Sequence, residues 1–300
     1  MLCFKHTWVI TLLLWSSFSY SQDYVDLAKF HCALSPGNEF DSLSGNSDVE
    51  EFGADVLLPV KLNDSNIVLT GFMLEQIKTR IHPLLNPTTI STINLKVGFS
   101  KTHSQKWSGT YMLLPKLSSD FKRSSAKNFQ LGGLILMKYS KKEHLKYSFG
   151  AYYNQELFGP FIVPLVGMYY KSANDKFEIN ATLPIWADMN YRLTGFVSIG
   201  SNFSAFVRSY YLSENEAYVV KKTNELFGYL QFHLGKNILI QTKAGYSIGR
   251  SFRAYPEVDQ VSLGLSAARF GDDRTVLNPD FNDGPIYRAR LIYRFHLSKE

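Results

Sequence analysis

The run Tyr287-Arg288-Ala289-Arg290-Leu291-Ile292-Tyr293-Arg294-Phe295 decides how this chain is to be read. In an extended strand, successive side chains point to opposite faces. Tyr287, Ala289, Leu291, Tyr293 and Phe295 therefore share one face, with aromatic rings at both ends and aliphatic side chains between. Arg288, Arg290 and Arg294 share the other face with Ile292. An apolar band framed by aromatics suits the outer face of a strand that crosses a bilayer, and this run is as long as the roughly 9–11 residues that a tilted spanning strand needs. The arginines then point into a polar interior.

The same period of two recurs along the chain. It is clearest over residues 51–60, 93–100, 177–185 and 238–247. It is weaker over 68–77, 107–114, 129–138, 145–154, 162–170, 197–210, 226–232 and 261–270. Such alternation predicts strands with one wet face; no amphipathic helix competes with them. The clusters Asn63-Asp64-Ser65-Asn66, Lys141-Lys142-Glu143, Asn174-Asp175-Lys176 and Leu234-Gly235-Lys236-Asn237 suit hairpin turns. Segments 35–48, 118–127, 212–217 and 271–284 read as extended loops. Pro59, Pro115 and Pro184 each follow a leucine near a strand end, with Asp64, Asp120 and Asp188 close behind. Proline ends ladder pairing and Asp starts turns, so these pairs read as punctuation rather than as kinks that aim carboxylates inward. Leu114-Pro115 and Glu156-Leu157-Phe158-Gly159 recur at one common spacing as Leu183-Pro184 and Glu225-Leu226-Phe227-Gly228. The residues between hardly match, so similar hairpin demands account for them better than a repeat.

Composition agrees with a wall of this kind. Charged residues make up 19% of the 300 and aromatics 15%, against roughly 25% charged in ordinary soluble domains. That excludes a disordered tail and disfavours a highly soluble enzyme. The mean hydropathy of -0.13 looks average, as it must if half the strand residues are apolar and half polar. A formal charge of +6 raises nucleic acid as a partner. Lys and Arg are scattered, however, and the densest group, Lys138, Lys141, Lys142 and Lys146, reads as a solvated turn. No nucleic-acid partner is expected.

Residues 1–21 read as a secretory signal. Lys5 and His6 precede an apolar run over 9–15, and Ser19-Tyr20-Ser21 supplies the small-x-small pattern before Gln22. That run is too short for a spanning helix, and the apolar stretch 158–170 is broken by Gly159, Pro160, Pro164 and Gly167. Cys3 leaves with the signal and Cys32 remains alone, so the mature chain has no internal disulfide. Cys32 reads as a compact buried or wall-facing thiol.

Alternation by itself fits both a soluble sandwich and a membrane barrel. The wet faces are rich in Gly, Ser, Thr and Asn, which suits a confined interior. So many strands would also leave adhesive edges unless the sheet closes, and lipid forbids open edges altogether. The mature start Gln22-Asp23-Tyr24-Val25-Asp26-Leu27-Ala28-Lys29-Phe30, with KWSGTYMLLPK (106–116), LPIWADMNYRL (183–193), FGDDRT (270–275) and ARLIYRF (289–295), resembles an uncharacterised family of exported β proteins of the Bacteroidota, known as a domain of unknown function. The resemblance covers nearly all of residues 22–295. It implies an outer-membrane β-barrel and brings no activity or catalytic residues with it. The tail 296–300 departs from the pattern, since it leaves the terminal aromatic internal.

Three constellations invite chemistry. Asp272, Asp273, Asp280 and Asp283 fall in GDDRTVLNPDFNDG, where hard oxygen ligands on a loop suit Ca²⁺. The spacing is not that of a helix-loop-helix site, Arg274 can neutralise one carboxylate, and a turn-rich loop is the competing reading. His31, His82, His103, His144, His233 and His296 occur in no GxSxG or HExxH motif, so hydrolysis has no local support. The inferred inner faces carry Glu51, Asp55, Lys96, Glu178, Glu225, Lys243, Arg288, Arg290 and Arg294. Both signs occur, and mixed charges either line a pore or pair across a narrow interior and hold it shut.

The sequence therefore predicts an all-β fold: a single antiparallel transmembrane β-barrel of about 12 strands, within 10–14. The expected role is a non-enzymatic pore, transport or structural protein of the cell outer membrane, without cofactors. Its expected partners are outer-membrane lipid, the barrel-assembly machinery during insertion and a small polar or anionic solute. The alternatives are a secreted soluble all-β ligand-binding protein and a membrane-embedded hydrolase.

Overall fold

Alternating residues build long strands, and the strands close on themselves. The computed structural model describes residues 24–266 and 268–296; the signal segment 1–21 lies outside them. In chain order the strands are β1 (Tyr24–Glu39), β2 (Asn46–Lys61), β3 (Asn66–Thr79), β4 (Thr88–Thr102), β5 (Trp107–Ser119), β6 (Phe129–Lys142), β7 (Leu145–Glu156) and β8 (Gly159–Lys171). They continue as β9 (Phe177–Leu183), β10 (Trp186–Arg192), β11 (Val197–Leu212), β12 (Ala217–Leu234), β13 (Ile238–Pro256), β14 (Leu263–Leu265), β15 (Ala268–Phe270) and β16 (Gly284–His296). Antiparallel pairing runs from β1 to β13, passes to β16, and returns to β1 with Tyr24 opposite His296 and Leu34 opposite Tyr287. The result is a closed ring of 14 strands. The β14–β15 hairpin is additional to the 14 strands: Gly264 of β14 lies parallel to Phe161 of β8, beyond Val166, where β9 stops pairing with β8.

The outer wall is apolar. Phe52, Phe72, Leu95, Leu113, Phe149, Leu230, Ile240, Tyr287 and Leu291 all face outward and are exposed. Their strand neighbours Glu51, Thr92, Lys116, Gln231, Gln241 and Arg288 are buried polar groups facing in. A one-residue slip would exchange the two sets, so the pattern fixes the register. Cys32 is a free thiol on the exposed side of its strand. The two ends of the ring differ: short turns at 62–65, 103–106, 143–144, 172–176, 193–196 and 235–237 lie at the end that carries Tyr24 and His296, and the longer connections 40–45, 80–87, 120–128 and 257–283 lie at the other.

At the long-loop end the wall turns inward. The short β9–β10 hairpin stops at residues 184–185, so β11 loses its β10 partner beyond Ser204. Its remaining residues cross to the far wall, where Tyr211 meets Ser119 of β5 and the Tyr211 carbonyl accepts from Asp120 N at 2.9 Å and Ser119 Oγ at 3.1 Å. β12 and β13 follow, forming a three-stranded flap. Burial records the change: it alternates from Glu225 to Leu230 but is continuous from Ala217 to Lys221. One face of the flap packs Tyr210, Val219 and Phe252 against Val49, Ile77 and Ile90. The opposite face packs Tyr218, Val220 and Tyr255 against Phe158, Phe161 and Leu165.

Some sequence expectations need correction. Segment 35–48 is mostly strand, because Asn38 Nδ2 donates to the carbonyls of Ser35 and Ser47, each at 2.8 Å, and so hides its polarity inside the ring. Segment 118–127 likewise begins as strand, with Ser118 bonded to Thr92 at 2.6 Å between hydroxyls. Pro59 and Pro115 lie within β2 and β5 instead of ending them; Pro115 sits where the β4–β5 ladder is interrupted, so its missing donor costs that ladder nothing. Asp188 lies within β10 and not in a turn.

Candidate functional site

Inward-facing side chains of a ring this size enclose space. Among the described residues one cavity holds about 640 Å³. It runs from Lys176 and His296 at the short-turn end to Glu75, Arg208 and Lys221 beneath the flap. A second space of about 410 Å³ shares Arg192, His233, Arg294 and His296 with it, so the lumen is continuous with the short-turn mouth.

The deep end of this lumen is crossed by ion pairs. Arg208 on β11 reaches Glu75 on β3, and Tyr210 donates to the same carboxylate at 2.6 Å. Lys221 on β12 meets Glu51 on β2 at 2.6 Å, and Arg288 on β16 bridges Glu51 at 3.0 Å and Glu225 at 2.9 Å. On the other side of the flap, Lys116 meets Glu156 at 2.9 Å, and the second Glu156 oxygen accepts from Ser209 N at 2.8 Å and Ser209 Oγ at 2.5 Å. Unpaired charges in such a dry place would cost several kcal/mol, so the pairs also fix the flap's position.

Nearer the mouth the pairing is looser. Arg294 holds Asp26 at 2.7 Å and lies over the Tyr24 ring, and Tyr24 donates to Glu178. Asp55 takes Lys96 at 2.7 Å. Asp188 accepts from Tyr229 at 2.9 Å, and Lys243 lies over the Tyr229 ring with its ammonium 3.3 Å from Asn202 Oδ1. Glu51, Asp55, Glu178, Glu225, Arg288, Arg290 and Arg294, all picked from alternation, line the cavity; Lys96 and Lys243 touch its lining through Asp55 and Asn202. Alternation alone passed over Glu75, Arg208, Lys221, Asp188, His31 and Asp26. Glu75 and Asp26 lay within reach of the same period-two reading, whereas the roles of Arg208 and Lys221 depend on the flap.

The loop aspartates do not converge. Asp272 is held by Arg274 at 2.7 and 2.8 Å, Asp280 by Arg253 at 2.7 Å, and Asp283 accepts from Arg250 N at 3.0 Å. Among the described residues no three His, Cys, Asp or Glu side chains gather as a metal site, so the calcium reading of Asp272, Asp273, Asp280 and Asp283 has no geometry behind it. Hydrogen bonds from Arg274 hold the Asp272 carboxyl below the usual carboxylate range.

Several solved structures are similar in fold. An outer membrane channel from Pseudomonas putida F1 matches at 7% identity and TM-score 0.47, covering 95% of this chain and 98% of that one. The toluene transporter TodX of P. putida matches at 9% and 0.39, covering 94% and 93%. The NanC porin matches at 9% and 0.35, covering 89% and 98%. Among curated proteins none matches in sequence. The match to a family model stops short of the FGDDRT and ARLIYRF stretches. It spans residues 19–257, and the chain belongs to the family described as a domain of unknown function, DUF6268.

Proposed function

We propose that the chain is an outer-membrane β-barrel whose lumen is a solute vestibule, open at the short-turn mouth and shut at the long-loop end. The exposed apolar wall supports the membrane position, since no soluble surface keeps Phe52, Phe72, Leu95 and Leu291 in water around a whole circumference. Short turns face the periplasm and longer loops the exterior in such barrels, so the vestibule opens inward. The observation that carries the closed state is the flap, pinned across the ring by Glu75–Arg208 and Glu51–Lys221 and sealed above them by Tyr210, Val219 and Phe252. An envelope role without catalysis fits a lumen whose carboxylates are engaged by cations or hydroxyls.

Planar-bilayer recording of the refolded protein tests this reading. The wild type is expected to stay silent or near-silent across salts, and a steady open conductance would overturn the closed vestibule. Recovery in the soluble periplasmic fraction without detergent would overturn the membrane assignment.

A further inference from the structure

We infer that the lumen carries a carboxylate-binding site centred on Arg290. Its guanidinium lines the cavity, yet among the described residues it makes no hydrogen bond or ion pair, and its Nε is buried without a partner. The carboxylates whose fields reach it are spoken for: Asp26 by Arg294, Asp55 by Lys96 and Asp188 by Tyr229. Of its neighbours Arg288 is a cation, whereas His31 and Lys243 add nitrogen groups beside it. His31 is its direct partner on β1, Arg288 lies two residues along the same strand, and Lys243, paired with Arg288 on β13, touches an amide oxygen and aromatic faces among the described residues.

A buried donor left without an acceptor is costly, more so when charged, so a ligand that supplies the acceptor recovers that cost on binding. The guanidinium edge is a planar fork matched to two coplanar oxygens, which selects a carboxylate over a spherical anion. The opposite edge of the site is polar as well: Gln241, directly across from Arg290 on β13, has a buried Oε1 without a partner. It would accept from a hydroxyl or amino group next to the carboxylate. The ligand class is therefore a small carboxylate with a neighbouring donor, reached through the short-turn mouth.

This inference rests on the lumen being open to solute and not on the absence of conductance, so a binding experiment on the detergent-solubilised full chain separates the two. Titration calorimetry in chloride-free buffer uses malate as probe and its neutral diamide as control. The wild type should bind malate saturably and the diamide at least tenfold more weakly. Arg290→Gln should weaken malate at least tenfold, while its unheated gel migration reports whether the barrel has formed. A second measurement needs no variant: malate should protect Arg290 from phenylglyoxal, as mapped by mass spectrometry. No malate binding by the wild type, equal binding of the diamide, or unprotected Arg290 would each overturn the site.

Discussion

Arg208 and Glu75 meet across the lumen, one from β11 and the other from β3, on opposite sides of a 14-stranded ring. Neither strand touches the other as a wall neighbour, so the pair is a strut. Glu75→Ala leaves the Arg208 charge and the Tyr210 hydroxyl buried without their acceptor. The expected cost is about 3–5 kcal/mol, read by urea unfolding in detergent. Glu75→Leu combined with Arg208→Met should recover most of it, and a double variant no better than the single one would deny the strut.

Glu156 ties the flap to the opposite wall through Lys116 and Ser209. Glu156→Ala should loosen the flap while leaving the ring closed. The expected outcome is flickering conductance in planar bilayers, against the silence expected of the wild type. Unaltered silence with intact heat-modifiable migration would show that the apolar packing alone holds the flap.

Gly150 brings two strands close: a Cβ there would lie 2.0 Å from the Ile135 carbonyl oxygen. Backbone cannot yield as a side-chain tip does. Gly150→Ala is expected to destabilise by about 1–3 kcal/mol, measured by the midpoint of refolding into detergent.

Leu291 sits in the outer band between Tyr287 and Tyr293 and is 45% exposed. In water, Leu291→Arg would be nearly neutral. At the middle of a bilayer it should cost about 2–4 kcal/mol. Folding equilibria into lipid vesicles, compared with the same substitution at the exposed loop residue Leu84, give the contrast.

Asp272 anchors the 257–283 loop through Arg274, which lies over the Tyr255 ring at 4.1 Å. Its carboxyl is held down by those hydrogen bonds, so the stabilisation is fully present above the ordinary carboxylate range and fades as pH falls through the lowered value. Asp272 is about a third exposed, so the effect is below about 1 kcal/mol. Hydrogen exchange of the loop should rise on acidification in the wild type. In Asp272→Asn it should be raised already at neutral pH and change little on acidification.

Alternation made the wall legible. Tyr287 to Phe295 reads outward and inward as it lies because one face of that strand is the exposed apolar wall and the other meets charges. The same logic reached Glu51, Glu225 and Arg288 in the lumen. It passed over two strands of the ring, β1 (Tyr24–Glu39) and β10 (Trp186–Arg192), so the 14 strands lie at the upper end of the expected 10–14. The flap was hidden for a different reason. Between Ala217 and Lys221 both faces are buried, so period two carries no inside or outside, and Tyr218 and Val219 look alike in sequence although they enter different clusters. The Glu75–Arg208 strut follows from that bend, which is a property of the closed ring and not of either strand.

The seam between β1 and β16 has a consequence for how the molecule comes into being. Asp26 and Arg294, which meet across it, are 268 residues apart in the chain. Until the last strand is in place, β1 and β13 both present open edges, and such distant pairing is slow because the chain must first be brought together. The barrel therefore exists in its final form only after the whole chain has emerged. A chain shortened by its last strand would be an unsealed sheet, sticky along two borders, rather than a smaller barrel.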